Sequence, residues 1–244
     1  MTEIARNLAQ VQERIAEAAQ RAGRDPAEVT LVAVGKTFSP KAIVTAYQAG
    51  VRYFGENRVE EGAPKIAAVH AAITGPRPVW HMVGHVQSRK ARAVVAHFDY
   101  VQSVDRLKVA HRLSRFAQET GGTLPVLLEC NVSGEETKFG FDLRGWEHDE
   151  ARRRAFFAAS EEILALPGLS VQGLMTMAPL VADPESVRPV FASLRALLDA
   201  LRECFPTHDW HHLSMGMTDD FEVAIEEGAT MVRIGRAIFG ARPA

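Results

Sequence analysis

Lys36 follows the apolar run Leu31-Val32-Ala33-Val34-Gly35, and strand alternation puts Val32, Val34 and Lys36 on one face. An ammonium held there and partly desolvated loses its proton more readily, and the neutral amine attacks an aldehyde. The alternative is a lysine that extends from a strand end into solvent. A second group of residues stands near the other end of the chain, in Leu213-Ser214-Met215-Gly216-Met217 and Val232-Arg233-Ile234-Gly235-Arg236. Glycines let backbone N–H groups approach phosphate oxygens, a helix start supplies unpaired N–H groups, and Ser214 adds a hydroxyl. Alternatively, Gly216 and Gly235 simply turn the chain. Arg233 shares a face with Gly235, and its plain role is an ion pair to a phosphate or carboxylate.

These residues need elements that bring them together. Apolar, β-branched runs at 31–36, 53–57, 80–84, 100–104, 126–132, 171–177, 211–215 and 231–235 read as buried parallel strands. Helical patterns separate most of them, at 86–97, 106–119, 152–166, 185–204 and 219–227. Ser39-Pro40 supplies an N-cap and first helical residue for a helix ending near Gly50, and Asp219 with Glu222 resembles a cap and its partner. Before the first strand, Ile4, Leu8, Val11, Ile15 and Ala19 mark an amphipathic helix over 3–22, which Gly23 stops. About eight βα units predict an α/β fold, a single-domain (β/α)8 TIM-type barrel over 1–244 with an extra N-terminal helix. An open doubly wound sheet is the competitor, but no Gly-x-Gly-x-x-Gly follows the first strand. In a barrel, strand C-terminal ends share one mouth, and the loops after strands seven and eight often bind phosphate.

The 244 residues are 47% hydrophobic, enough for a sizeable core, and 28 basic against 30 acidic residues give a net charge of −2. That balance predicts neither a nucleic-acid nor an anionic-membrane partner. The N-terminus lacks a signal-peptide core, no apolar run approaches the roughly 20 residues that span a bilayer, and Cys130 and Cys204 have no paired spacing. A reduced, cytoplasmic protein is expected. His208, His211 and His212 do not make a metal site, because His211 and His212 are adjacent on a strand and point apart. The basic stretch 88–92 reads as a solvated helix face.

A series of motifs in order carries a family resemblance: Val34-Gly35-Lys36, Phe54-Gly55-Glu56-Asn57, Trp80-His81-Met82-Val83-Gly84-His85-Val86-Gln87, Ser103-Val104-Asp105-Arg106 and Asn131-Val132-Ser133. Glu136-Thr137-Lys138-Phe139-Gly140, Gly173-Leu174-Met175-Thr176-Met177, the Ser214 and Arg233 motifs, and Ile238-Phe239-Gly240 continue it. From about residue 30 to 240 the chain closely resembles the pyridoxal phosphate homeostasis proteins, whose fold is the N-terminal barrel of alanine racemase. The resemblance implies pyridoxal 5′-phosphate as cofactor, bound to Lys36 as a Schiff base. It implies that Ser214 and the backbone of Gly235 and Arg236 hold the phosphate, that Arg233 lies near the ring nitrogen, and that Asn57 faces the cofactor. Arg233 beside that nitrogen would keep it unprotonated, which weakens the electron sink. Arg236 stands where many relatives have a small or hydroxyl residue, so its side-chain role is open.

Racemases on this barrel take a catalytic tyrosine from a second domain, whereas this chain stops after the last barrel helix. Tyr47 falls in a helix, and Tyr53 and Tyr100 begin strands at the end opposite the mouth. The expectation is therefore a non-enzymatic carrier and buffer of pyridoxal phosphate, with no catalytic residues, monomeric, and passing its cargo to apoenzymes. A racemase of low activity is the alternative. Lys138, in the polar loop 133–149, is a candidate transfer lysine, against the plainer reading of a solvated side chain among acidic neighbours.

Overall fold

The computed structural model describes residues 1–241; the closing residues 242–244, which the sequence reading placed after the last helix, lie outside the described residues. In chain order the elements are α1 (Glu3–Arg21), β1 (Thr30–Val34), α2 (Pro40–Gln48), β2 (Tyr53–Glu56), α3 (Val59–Ala72), β3 (Val79–Met82), α4 (Ala91–His97), β4 (Tyr100–Val104) and α5 (Leu107–Glu119). There follow β5 (Leu124–Asn131), β6 (Phe141–Asp142), α6 (Glu150–Leu164), β7 (Leu169–Met175), α7 (Arg188–Cys204), β8 (His212–Ser214), α8 (Phe221–Glu226), β9 (Met231–Ile234) and α9 (Arg236–Phe239).

Strands β1, β2, β3, β4, β5, β7, β8 and β9 pair in that order, all parallel, and β9 returns to β1 through Val32↔Arg233 and Ala33↔Ile234. The result is the expected closed (β/α)8 barrel, with the short β6 paired to the end of β5 outside the ring. Alternation divides each strand between two environments. Ala33, Phe54 and Trp80 face outward, fully buried beneath the helices, with the Phe54 and Trp80 rings 5.3 Å apart. Burying a side chain the size of Phe54 stabilises the fold by roughly 1.5–3 kcal/mol. A separate small cluster of Tyr100, Leu127, Met175 and Met231 fills part of the interior.

The caps explain where helices begin. Ser39 Oγ accepts from Ala42 N–H and Pro40 occupies the first turn of α2, as the sequence predicts. At α8 the cap falls one residue later than expected. Asp220 is the N-cap, and its carboxylate turns back to accept from Met217 N–H at 2.6 Å, which leaves Asp219 exposed. Helix α3 carries no clear sequence signal, because Gly62 and Pro64 interrupt it. The glycine is required by packing: a Cβ at Gly62 would come within 2.7 Å of the Phe98 ring. Helix α1 buries Leu8, Val11, Ile15, Ala18 and Ala19 and joins the last elements of the chain through Arg14–Glu222 and Arg21–Glu226. Among the described residues no helix is long and apolar enough to cross a membrane.

Candidate functional site

Strand β1 stops at Val34, two residues short of the expected end, so Lys36 stands in the turn that follows rather than on the strand. It is half-buried. The next residue, Thr37, has φ of 70°, the left-handed region that non-glycine residues seldom adopt. Behind this turn lies a buried ionic cluster. Lys65 Nζ, on α3, donates to Gly35 O at 2.7 Å, to Glu56 Oε1 at 2.8 Å and to Glu61 Oε1 at 2.9 Å. Glu61 Oε1 also accepts the N–H of Thr37. Burial raises the Glu56 carboxyl to about 7 against the pull of Lys65, and Lys36 is near enough to add a smaller lowering influence.

Inside the barrel, β3, β4, β8 and β9 are joined by one directed chain of hydrogen bonds. Arg233 can only donate, and it gives NH1 to Ser214 Oγ at 2.6 Å and NH2 to Thr176 O at 2.7 Å. Ser214 therefore donates onward, to Gln102 Oε1 at 2.6 Å. That fixes the amide of Gln102, whose Nε2 faces His81 Nδ1 at 2.8 Å and Met231 Sδ at 3.7 Å. Because the Gln102 amide nitrogen donates, His81 accepts at Nδ1 and carries its proton on Nε2. Burial pushes the His81 ring down to about 3, so it is neutral, and its ring stacks on Tyr100 at 4.7 Å. Burial also lowers the Arg233 guanidinium, to about 10, which leaves it charged at neutral pH.

Charge collects around Arg233. Glu129, on β5, is 2% exposed, and its Oε2 is buried without a hydrogen-bond partner in the protein. Burial raises the Glu129 carboxyl to about 7; Asp105 adds to the rise, while Arg233 and Arg106 oppose it. Asp105 itself approaches His85 Nδ1 at 2.8 Å and Arg106 at 2.6 Å. The loop after β5 covers this part of the rim. Phe139 stacks on His85 with ring centroids 3.8 Å apart, and Lys138 Nζ donates to Met177 O at 3.0 Å.

The sequence-predicted residues separate into those brought together and those turned away. Ser214 and Arg233 touch directly, and Gly235 lies against the carbonyl of Val34 at the end of β1, on the loop beside Lys36. Asn57 follows β2 directly, half-buried, with its backbone against Gly84 of the next loop. The Arg236 side chain is exposed and pairs with Asp219. Lys138 differs from the solvated side chain expected. Its side chain is only 19% exposed, paired with Glu135 and fastened to the β7 side of the rim. His211 pairs with Asp209 at the surface while His212 meets Thr230, so the two rings part. Lys90 of the basic stretch is paired with Glu60. The sequence reading missed Lys65, Glu61, Gln102 and Glu129. Only the i,i+4 spacing of Glu61 and Lys65 is visible locally; the rest depends on strand neighbours far apart in the chain.

The alanine racemase N-terminal domain matches residues 6–243. A pyridoxal phosphate homeostasis protein of Pseudomonas aeruginosa is 44% identical over 244 residues, covering 99% of this chain and 97% of its own length. Its counterpart in Escherichia coli K12 is also 44% identical, covering 99% and 98%. The structure of PipY from Synechococcus elongatus PCC7942 with pyridoxal phosphate bound superposes with a TM-score of 0.81 at 34% identity, covering 97% of this chain and 100% of that one. With this barrel and this degree of identity along its full length, the chain belongs to the pyridoxal phosphate homeostasis protein family, on the alanine racemase N-terminal fold.

Proposed function

We propose that this protein binds pyridoxal 5′-phosphate reversibly through Lys36 and serves as its carrier and buffer. The observation that carries the reading is the juxtaposition of the Lys36 turn with the β9 end, where Arg233, Gly235 and the start of α9 meet. The donor set suits such a ligand. Lys36 supplies an amine, the N–H groups at Gly235, Arg236 and Ala237 suit phosphate oxygens, and buried Arg233 suits an unprotonated ring nitrogen. Asn57 stands at the neighbouring strand end. When bound, the cofactor supplies an aldehyde that a lysine amine captures as a Schiff base and can release again.

Holding is favoured over turnover by where the tyrosines lie. Tyr100 begins β4 and donates to Gln172, Tyr53 begins β2, and Tyr47 on α2 donates to Pro76 O. None stands at the C-terminal ends of the strands to act as a second base. The relatives are named as homeostasis proteins rather than enzymes. In this reading the protein is a cytoplasmic monomer that limits free aldehyde and passes it to apoenzymes.

Peptide mapping after incubation with pyridoxal phosphate and reduction with borohydride tests the proposal. The expected adduct is at Lys36 and disappears in Lys36→Ala. Adducts confined to surface lysines, or rapid deuterium uptake at Cα of amino acids, would overturn it.

A further inference from the structure

We infer that Lys65, Glu56 and Glu61 form a positioning clamp that holds the Lys36 turn in its reactive conformation. This inference rests on Lys36 being the capturing residue. The clamp grips the backbone on both sides of Lys36. On one side Lys65 Nζ binds the carbonyl of Gly35, and on the other Glu61 Oε1 takes the N–H of Thr37. Lys65 is 5% exposed and Glu56 fully buried, so these are deep interactions rather than a surface ion pair. All three ammonium protons are used, on Gly35 O, Glu56 and Glu61. Glu61 Oε1 bridges the cluster to the turn.

Two features show that the turn is held rather than relaxed. Thr37 sits at φ 70°, the one positive-φ position among the described residues not occupied by glycine. An L-residue adopts this conformation at a cost, so other contacts must maintain it. The second feature is the fit at Gly35, where a Cβ would meet Ile43 Cδ1 at 2.4 Å and Glu56 Oε1 at 3.1 Å. The turn is thus pressed onto the cluster with no room for a side chain. Lys65 is fully coordinated while Glu56 Oε2 is buried without a partner, so the cluster holds one geometry through the ammonium, and breaking one member leaves the others unsatisfied. None of the three side chains needs to touch the cofactor; their effect passes through the backbone to Lys36.

Glu61 is the member to remove, since its side chain is 32% exposed and its loss leaves the buried Lys65–Glu56 pair in place. In Glu61→Ala, capture of pyridoxal phosphate at Lys36, followed by absorbance and verified by borohydride mapping, should slow by about tenfold to a hundredfold, the penalty for a misplaced reacting group. Adding Thr37→Gly, which removes the conformational cost, should restore much of the rate. In the cofactor-free protein the Thr37 amide should exchange with deuterium slowly in the wild type and faster in Glu61→Ala. Unchanged capture in Glu61→Ala despite faster Thr37 exchange would overturn the inference. So would a rate loss that Thr37→Gly does not repair and that follows a lowered melting temperature. A wild type that captures nothing at Lys36 would sink the carrier reading instead, while Thr37 exchange would still report whether the clamp exists.

Discussion

Arg233 and Ser214 are joined at 2.6 Å inside the barrel, with the guanidinium donating to the hydroxyl. That hydroxyl gives its only proton to Gln102, so a phosphate oxygen would compete with the amide oxygen for it. Ser214→Ala would leave Arg233 NH1 and Gln102 Oε1 without this partner. A loss of about 1–3 kcal/mol is expected, measured by chemical denaturation. The affinity for inorganic phosphate, read by its competition with pyridoxal phosphate, should change little; a large loss of phosphate competition at unchanged stability would return Ser214 to the phosphate site.

Glu129 makes stability depend on pH in a defined direction. Its carboxyl holds a proton up to about 7 in the folded protein, against an ordinary value of 4.5. The folded state therefore binds more protons between these values, and this contribution is full below 4.5 and is lost as pH rises through about 7. Relative to Glu129→Gln, the wild type should lose up to about 3 kcal/mol across that window. Burial of His81 acts in the opposite direction, but it is common to both proteins and cancels in the difference. Urea midpoints at several pH values measure this, and parallel curves for the two proteins would refute it.

Two contacts fasten the loop after β5, the Phe139–His85 stack and the Lys138–Met177 bond. Phe139→Ala and Lys138→Met should each speed the exchange of bound pyridoxal phosphate with free ligand, by several-fold, with little change in folding stability. Stopped-flow release into an excess of competing amine provides the rate. Slower release in Lys138→Met alone would instead assign that amine a part in taking the aldehyde from Lys36.

Arg236 and Asp219 form an ion pair whose side chains are about half exposed, at 56% and 52%. Such pairs contribute at most about 1 kcal/mol and weaken with salt. Arg236→Ala should therefore leave cofactor affinity nearly unchanged, because the backbone N–H at that position remains. Equilibrium titration at low and high salt tests this; a tenfold loss of affinity would show that the side chain reaches the ligand.

The barrel was legible because its signal is local. Runs such as Leu31–Val34 and Met231–Ile234 are apolar and β-branched, and amphipathic segments separate most of them. Helix α3 was not legible, since Gly62 and Pro64 answer to tertiary packing and disguise the period. The end of β1 was overrun because the alternation of Val32, Val34 and Lys36 continues in sequence after the ladder stops. Of the site, Lys36, Ser214 and Arg233 stood out by type and place. Their supports did not, because Gln102 reaches Ser214 across 112 residues and Lys65 reaches Gly35 across 30. No periodicity encodes such pairings; they exist only once the ring closes.

That closure is made by the first and last strands, β1 and β9, with α1 bound over α8 through Arg14–Glu222 and Arg21–Glu226. A nascent chain still lacking β9 would have its Lys36 turn synthesised but no Arg233, no Gly235 and no neighbour for the open edge of β1. On the proposed function, capture at Lys36 needs the closed ring and so waits until translation has passed the last strand.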